Sequence, residues 1–157
     1  MRQDQLGGSR GTTECFSKAG LAEGTNANTI KILAPNGAGI DYAIDGLCYH
    51  KADTDNIAMT AATAQADLTT CLYLVQIDSD GTVSTVKGTE ELTADLSAGT
   101  RVLHWPLPAA SRCPIGAVKV KNIAGTFTAG STDLGAGTVT DTYYDFAGGM
   151  PVAPLTS

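Results

Sequence analysis

The stretch Cys71-Leu72-Tyr73-Leu74-Val75-Gln76-Ile77, followed at once by Asp78-Ser79-Asp80-Gly81, is the most informative in the chain. It is apolar at both odd and even positions, too short for a buried helix, and bounded by a turn signal. Such a run suits a strand buried on both faces, in the middle of a sandwich. Thr82 to Lys87 then returns with β-branched residues, so the whole reads as a hairpin closed by Asp78–Gly81.

Working outward, the same grammar recurs. Ile30, Ile32 and Ala34 alternate with Thr29, Lys31 and Leu33 before the Pro35-Asn36-Gly37 turn. Tyr42 and Ile44 lead into Asp45-Gly46, and Leu47 and Tyr49 resume the pattern, which predicts a hairpin on a D-G turn. Asp53 to Thr60 reads as a short strand followed by a turn, and Glu90 to Ala98 as a short helix or loop. Arg101–Trp105 is expected to form a strand ended by Pro106 and Pro108, because proline cannot donate to a ladder. Ile115–Lys121, Thr126–Thr128 and Val139–Phe146 are further strand candidates, and Gly148 to Pro154 reads as loop. Short strands with turn signals every ~8–12 residues and little helix predict an all-β antiparallel fold, a sandwich, jelly roll or small barrel.

Two parts are expected: an irregular N-terminal arm over 1–28, rich in Gly, Ser and Thr, and a β domain over 29–157. Cys15, Phe16 and Leu21 are the arm residues that could dock on something. The chain has 157 residues, enough for one sizeable core. Charged residues make up only 17%, and the formal net charge is −6. Lys and Arg never cluster, so the basic footprint of a nucleic-acid-binding protein is missing. The longest apolar run falls far short of a bilayer span, and the first twenty residues hold Arg2, Asp4, Arg10, Glu14 and Lys18 with no apolar block. Neither a membrane partner nor a secretory signal is expected.

No motif carries chemistry convincingly. Cys15, Cys48, Cys71 and Cys113 are widely spaced, with no CxxC pair, and read as buried thiols packing as small apolar groups. Cys48-x-His50 would share a strand face, yet zinc needs two more ligands from elsewhere. In Asp78-Ser79-Asp80-Gly81 the glycine comes too early for a calcium loop, which favours a plain hairpin turn. The pairs Asp53/Asp55 and Asp141/Asp145 could each share a strand face as hydrolytic carboxylates do, or simply line a solvated sheet. No nucleophile elbow or phosphate cradle occurs. Catalytic, cofactor and metal residues are therefore expected to be absent. His104-Trp105-Pro106 is the best recognition candidate, since tryptophan is favoured at interface hot spots, although it is also an ordinary core plug.

Several phrases together resemble a known family. They are Asp55-Asn56-Ile57-Ala58-Met59-Thr60-Ala61-Ala62, Cys71-Leu72-Tyr73-Leu74-Val75, Asp80–Gly88, Leu107-Pro108, Cys113–Val120, Gly125–Thr132 and Val139–Asp145. In this order they resemble head-associated structural proteins of tailed bacteriophages, in particular the capsid decoration or cement class, over residues 40 to 147. The resemblance implies a virion protein that binds the outside of the assembled capsid, with the major capsid protein as partner. It also implies a symmetric homo-oligomer, a trimer ahead of a dimer, assembled in the host cytoplasm. On that reading Arg2, Arg10 and Lys18 of the arm meet acidic capsid surface, and His104 and Trp105 serve capsid or self contacts. Two other classes stay open: a phage tail or fibre adhesin for host carbohydrate, using Trp105 and Tyr143-Tyr144, and a small hydrolase using one of the Asp pairs.

Overall fold

A computed structural model describes residues 11–156. The fold is all-β and antiparallel, with strands β1 (Glu14–Cys15), β2 (Leu21–Glu23), β3 (Thr29–Ile32), β4 (Ile40–Ile44), β5 (Leu47–Lys51) and β6 (Thr54–Ala58) in its first half. The second half holds β7 (Thr69–Ile77), β8 (Val83–Lys87), β9 (Glu91–Leu92), the one-turn helix α1 (Thr93–Ser97), β10 (Cys113–Asn122) and β11 (Val139–Asp145). A five-stranded sheet runs β11-β10-β7-β8, with β9 also on β7, and two three-stranded sheets run β1-β4-β5 and β2-β3-β6.

The main core lies between the large sheet and the two small ones. Cys71, Tyr73, Val75 and Ile77 of β7, with Val118 and Val120 of β10, meet Ile30 and Ile32 of β3 and Ile40, Tyr42 and Ile44 of β4. The period of two along a strand sends Leu72 and Leu74 to the opposite face. There they pack with Leu96, Leu103, Ala117 and Phe146 in two smaller clusters. All nine residues of β7 are buried, because both of its faces are covered.

Both hairpins form as the sequence predicts. Ile44 pairs with Leu47 around Asp45 (φ 51°) and Gly46 (φ 79°), the two left-handed residues that a type I′ turn requires. In the β7–β8 turn Asp78 Oδ1 accepts the N–H groups of Asp80 (3.0 Å) and Thr82 (2.8 Å), and Arg112 Nη1 lies 3.0 Å from Oδ2. That carboxylate is engaged as a turn staple.

Elsewhere the structure departs from expectation. Arg101–Trp105 forms no strand and contributes a single antiparallel bridge, Leu103 to Leu155. Thr126–Thr128 likewise gives one bridge, Phe127 to Gln65. In both, Gly or Pro flanks leave the chain too irregular for a ladder. Part of the expected arm, 1–10, lies outside the described residues. From Gly11 onward the segment belongs to the domain: β1 pairs with β4, β2 pairs with β3, and Cys15, Ala19 and Leu21 are buried in the main core while Phe16 stays exposed. Residues 11–28 carry few apolar groups, and three of them, Cys15, Ala19 and Leu21, find a docking place.

Candidate interaction surface

The outer face of the large sheet is covered by two chain segments that meet edge to edge. Leu103 and Leu155 exchange both backbone hydrogen bonds, at 2.9 and 2.8 Å. Extended backbone around Leu103 sends alternate side chains in and out: Leu103 is buried, His104 exposed, Trp105 half-buried. Pro106 turns inward over Gly88, and Leu107 points out, 81% exposed. Trp105 packs edge-on against Tyr144 (centroids 5.7 Å, 82°) and Phe146 (5.3 Å, 86°), while its Nε1–H donates to the Ala153 carbonyl at 2.8 Å. Aromatic edge contacts and a satisfied indole N–H make this residue the pin that fastens the C-terminal segment to the sheet.

The pinned segment presents an apolar surface. Val152 is fully exposed, and with Leu107, Met150 and Pro151 it rims a shallow hollow of about 200 Å³ beside His104 and Trp105. Sequence reasoning selected His104 and Trp105 but passed over Leu107 and Val152. The signal was present in Pro106-Leu107-Pro108 and Pro151-Val152-Ala153-Pro154. Apolar residues flanked by prolines cannot enter a ladder and are displayed instead.

The other selected residues are not gathered at this surface. Arg2 and Arg10 fall outside the described residues, and Lys18 is an exposed residue in the loop from β1 to β2. A second exposed feature is β5, the edge strand of its sheet, which displays Leu47, Cys48 and His50. His50 Nδ1 lies 2.8 Å from Asp41 Oδ1 on β4.

Three of the four carboxylates in the two pairs are tied to backbone. Asp53 accepts the Ala34 N–H at 2.9 Å, and Asp145 accepts that of Leu21 at 3.0 Å. Asp55 takes the Thr25 hydroxyl and the Thr25 and Asn56 N–H groups, bonds that hold its carboxyl below the usual range. Three of the four thiols are buried and free, and burial pushes Cys71 and Cys113 up to about 12. Cys48 is the exposed one. Among the described residues no group of three or more His, Cys, Asp or Glu could hold a metal ion, and no helix is long and apolar enough to cross a membrane.

Fold and surface define an antiparallel all-β domain that exposes an apolar surface around Leu107 and Val152. No family model, curated protein or solved structure matches the chain.

Proposed function

We infer that this chain is a virion structural protein that binds the exterior of an assembled phage capsid and stabilises it. The observation that supports this best is the Leu107–Val152 surface: exposed apolar side chains on backbone that Trp105 holds in place. A contiguous apolar patch on a folded domain is the mark of a protein interface, and a pinned segment loses little entropy on docking. The resemblance of residues 40–147 to decoration proteins points the same way, and the net charge of −6 keeps the domain away from a packaged genome.

The mechanism is mechanical. A homo-oligomer, a trimer ahead of a dimer, lies across junctions between major capsid subunits, and several weak contacts per oligomer sum to high avidity. Because such a clamp binds the assembled state, it shifts assembly by mass action. The adhesin alternative needs an aromatic face open to a sugar. Trp105 and Tyr144 pack against each other instead, which counts against it.

Immunogold electron microscopy of purified virions carrying the chain tests the reading, with label expected on the outer shell. Co-sedimentation of Leu107→Asp/Val152→Asp with capsids lacking the protein should fall at least about tenfold below wild type, as burying two unpaired carboxylates costs more than the ~1.4 kcal/mol that one decade represents. Label on tail fibres, or glycan binding, would overturn it in favour of the adhesin.

A further inference from the structure

A second surface on the same outer face has a different chemistry. Lys119 and Lys121 of β10 project to the side of the large sheet that carries Leu72 and Thr70 of β7, their register partners, and Thr142 and Thr140 of β11. With Thr93, Leu96, Ser97 and Leu103 the two lysines enclose a hollow of about 140 Å³ beneath α1. Thr70 and Thr93 share a hydroxyl–hydroxyl bond of 2.9 Å at its floor.

Neither lysine has a carboxylate within 4.0 Å among the described residues. On this side Glu91 is the register partner of Thr70, and Arg101 faces it at 4.0 Å. Lys87 and Arg112, by contrast, are paired with Glu90 and Asp78. Two uncompensated positive charges thus sit side by side, two residues apart on one strand, in a chain of net charge −6. Like charges so placed repel one another and are relieved by an incoming anion.

The cationic hollow opens into an apolar one. Thr93 and Lys121 line both, and the second, of about 490 Å³, is otherwise formed by Leu68, Leu92, Ala94 and Ile123. Leu68, Leu92 and Ile123 are 57%, 52% and 46% exposed. Leu68 also carries a φ of 57°, the left-handed region that a leucine rarely occupies, with its carbonyl accepting the Thr93 N–H at 2.9 Å. A leucine held in a strained conformation and turned to water is the kind of feature retained at binding sites.

We propose that this double hollow binds an acidic peptide segment of a partner protein, a carboxylate between Lys119 and Lys121 and an adjacent apolar side chain against Leu68, Leu92 and Ile123. Inorganic phosphate or a free carboxylate would satisfy the lysines but leave the apolar hollow empty, whereas a peptide fills both. The charge complementarity favours this occupant over the Leu107 face of a second copy, which brings no carboxylate with its apolar side chains. The assignment stands apart from the capsid reading, since any partner with such a segment would fit.

The test is a ¹⁵N-correlation titration of the intact protein with an acetylated, amidated Leu-Asp-Leu-Glu tetrapeptide. Its neutral Leu-Asn-Leu-Gln counterpart and sodium phosphate serve as comparisons. Saturable shifts at the amides of Lys119, Lys121, Thr93, Leu92 and Ile123 are expected with the acidic peptide. They should weaken about tenfold or more in Lys119→Gln/Lys121→Gln, the loss of two charge-assisted contacts, and weaken also with added salt. Should the double variant unfold, Lys121→Gln alone, at an exposed position, and Ile123→Ser carry the same comparison. Equal response to the neutral peptide, a phosphate response as strong as that of the peptide, or no saturable shift at these residues each overturns the proposal.

Discussion

The Tyr73 hydroxyl donates to Gln65 Oε1 at 3.2 Å inside the main core, and this contact fixes an otherwise irregular loop. Gln65 is fully buried; its Nε2 donates to the carbonyls of Thr69 and Val120, each at 3.0 Å, and its backbone bridges Phe127. Every polar atom of that side chain is therefore satisfied, as burial demands. Tyr73→Phe leaves Oε1 alone and should cost about 1–2 kcal/mol, while Gln65→Leu unpairs the Tyr73 hydroxyl and takes the side-chain donor from the Thr69 and Val120 carbonyls, and should cost about 2–3 kcal/mol. Urea unfolding followed by circular dichroism reads both. A neutral Gln65→Leu would mean that the loop is held by other contacts.

Burial also decides the thiol chemistry. Desolvation raises Cys15, and it lifts Cys71 and Cys113 to about 12, so these stay protonated and shielded, whereas Cys48 is exposed on β5. An aromatic disulfide reagent at pH 8 should titrate one thiol in the native protein and four after denaturation. The same shifts give a sign for alkaline stability. Groups whose folded-state value lies above the unfolded value of about 8.5 contribute fully below that pH. Their contribution is lost as pH rises toward 12, so the midpoint of unfolding should drop across that window. Cys71→Ala should flatten the drop.

How far these features could be read from the sequence depends on whether the deciding contact is local. The Asp45-Gly46 turn, the Asp78–Gly81 turn and the doubly buried β7 each announce themselves within a dozen residues, through turn chemistry or unbroken apolarity. The roles of Gln65 and Trp105 do not. Gln65 sits in an Ala- and Thr-rich stretch with no period, and its partners Tyr73, Val120 and Phe127 come from three other segments. Leu107 and Val152 are 45 positions apart and become one patch only because Leu103 bridges Leu155. The Lys119/Lys121 alternation is visible in sequence, but the absence of a carboxylate partner is a tertiary fact.

Acid stability should report on Glu90. Burial alone would raise its carboxyl, but a hydrogen bond from Lys87, the Ala66 N–H and the Thr69 hydroxyl outweigh it and hold the group below its ordinary value. A depressed carboxyl contributes stability that is present above the unfolded value of about 4.3 and is lost as pH falls through the folded-state value. Glu90→Gln should therefore shallow the acid limb of a stability-against-pH curve while changing little of its shape near neutrality. An acid limb identical to that of wild type would show that Lys87 and Glu90 contribute nothing to folding.

The C-terminal segment separates holding from binding, and a pair of substitutions distinguishes the two. Trp105→Ala removes the ring wedged against Tyr144 and Phe146 and leaves the Ala153 carbonyl without its donor. For a half-buried tryptophan this should cost about 2–4 kcal/mol, at or below the usual range for a core truncation. Amide exchange should rise first at Leu103 and Leu155, whose paired hydrogen bonds depend on that pin. Leu107→Asp and Val152→Asp alter side chains that already face water, so each should stay within about 0.5 kcal/mol of wild type in stability. Their effect should fall on association, read by sedimentation velocity and by capsid co-sedimentation. The two classes of variant are thus expected to move opposite readouts. If Leu107→Asp unfolds the domain while leaving association intact, the exposed patch is part of the core and not an interface.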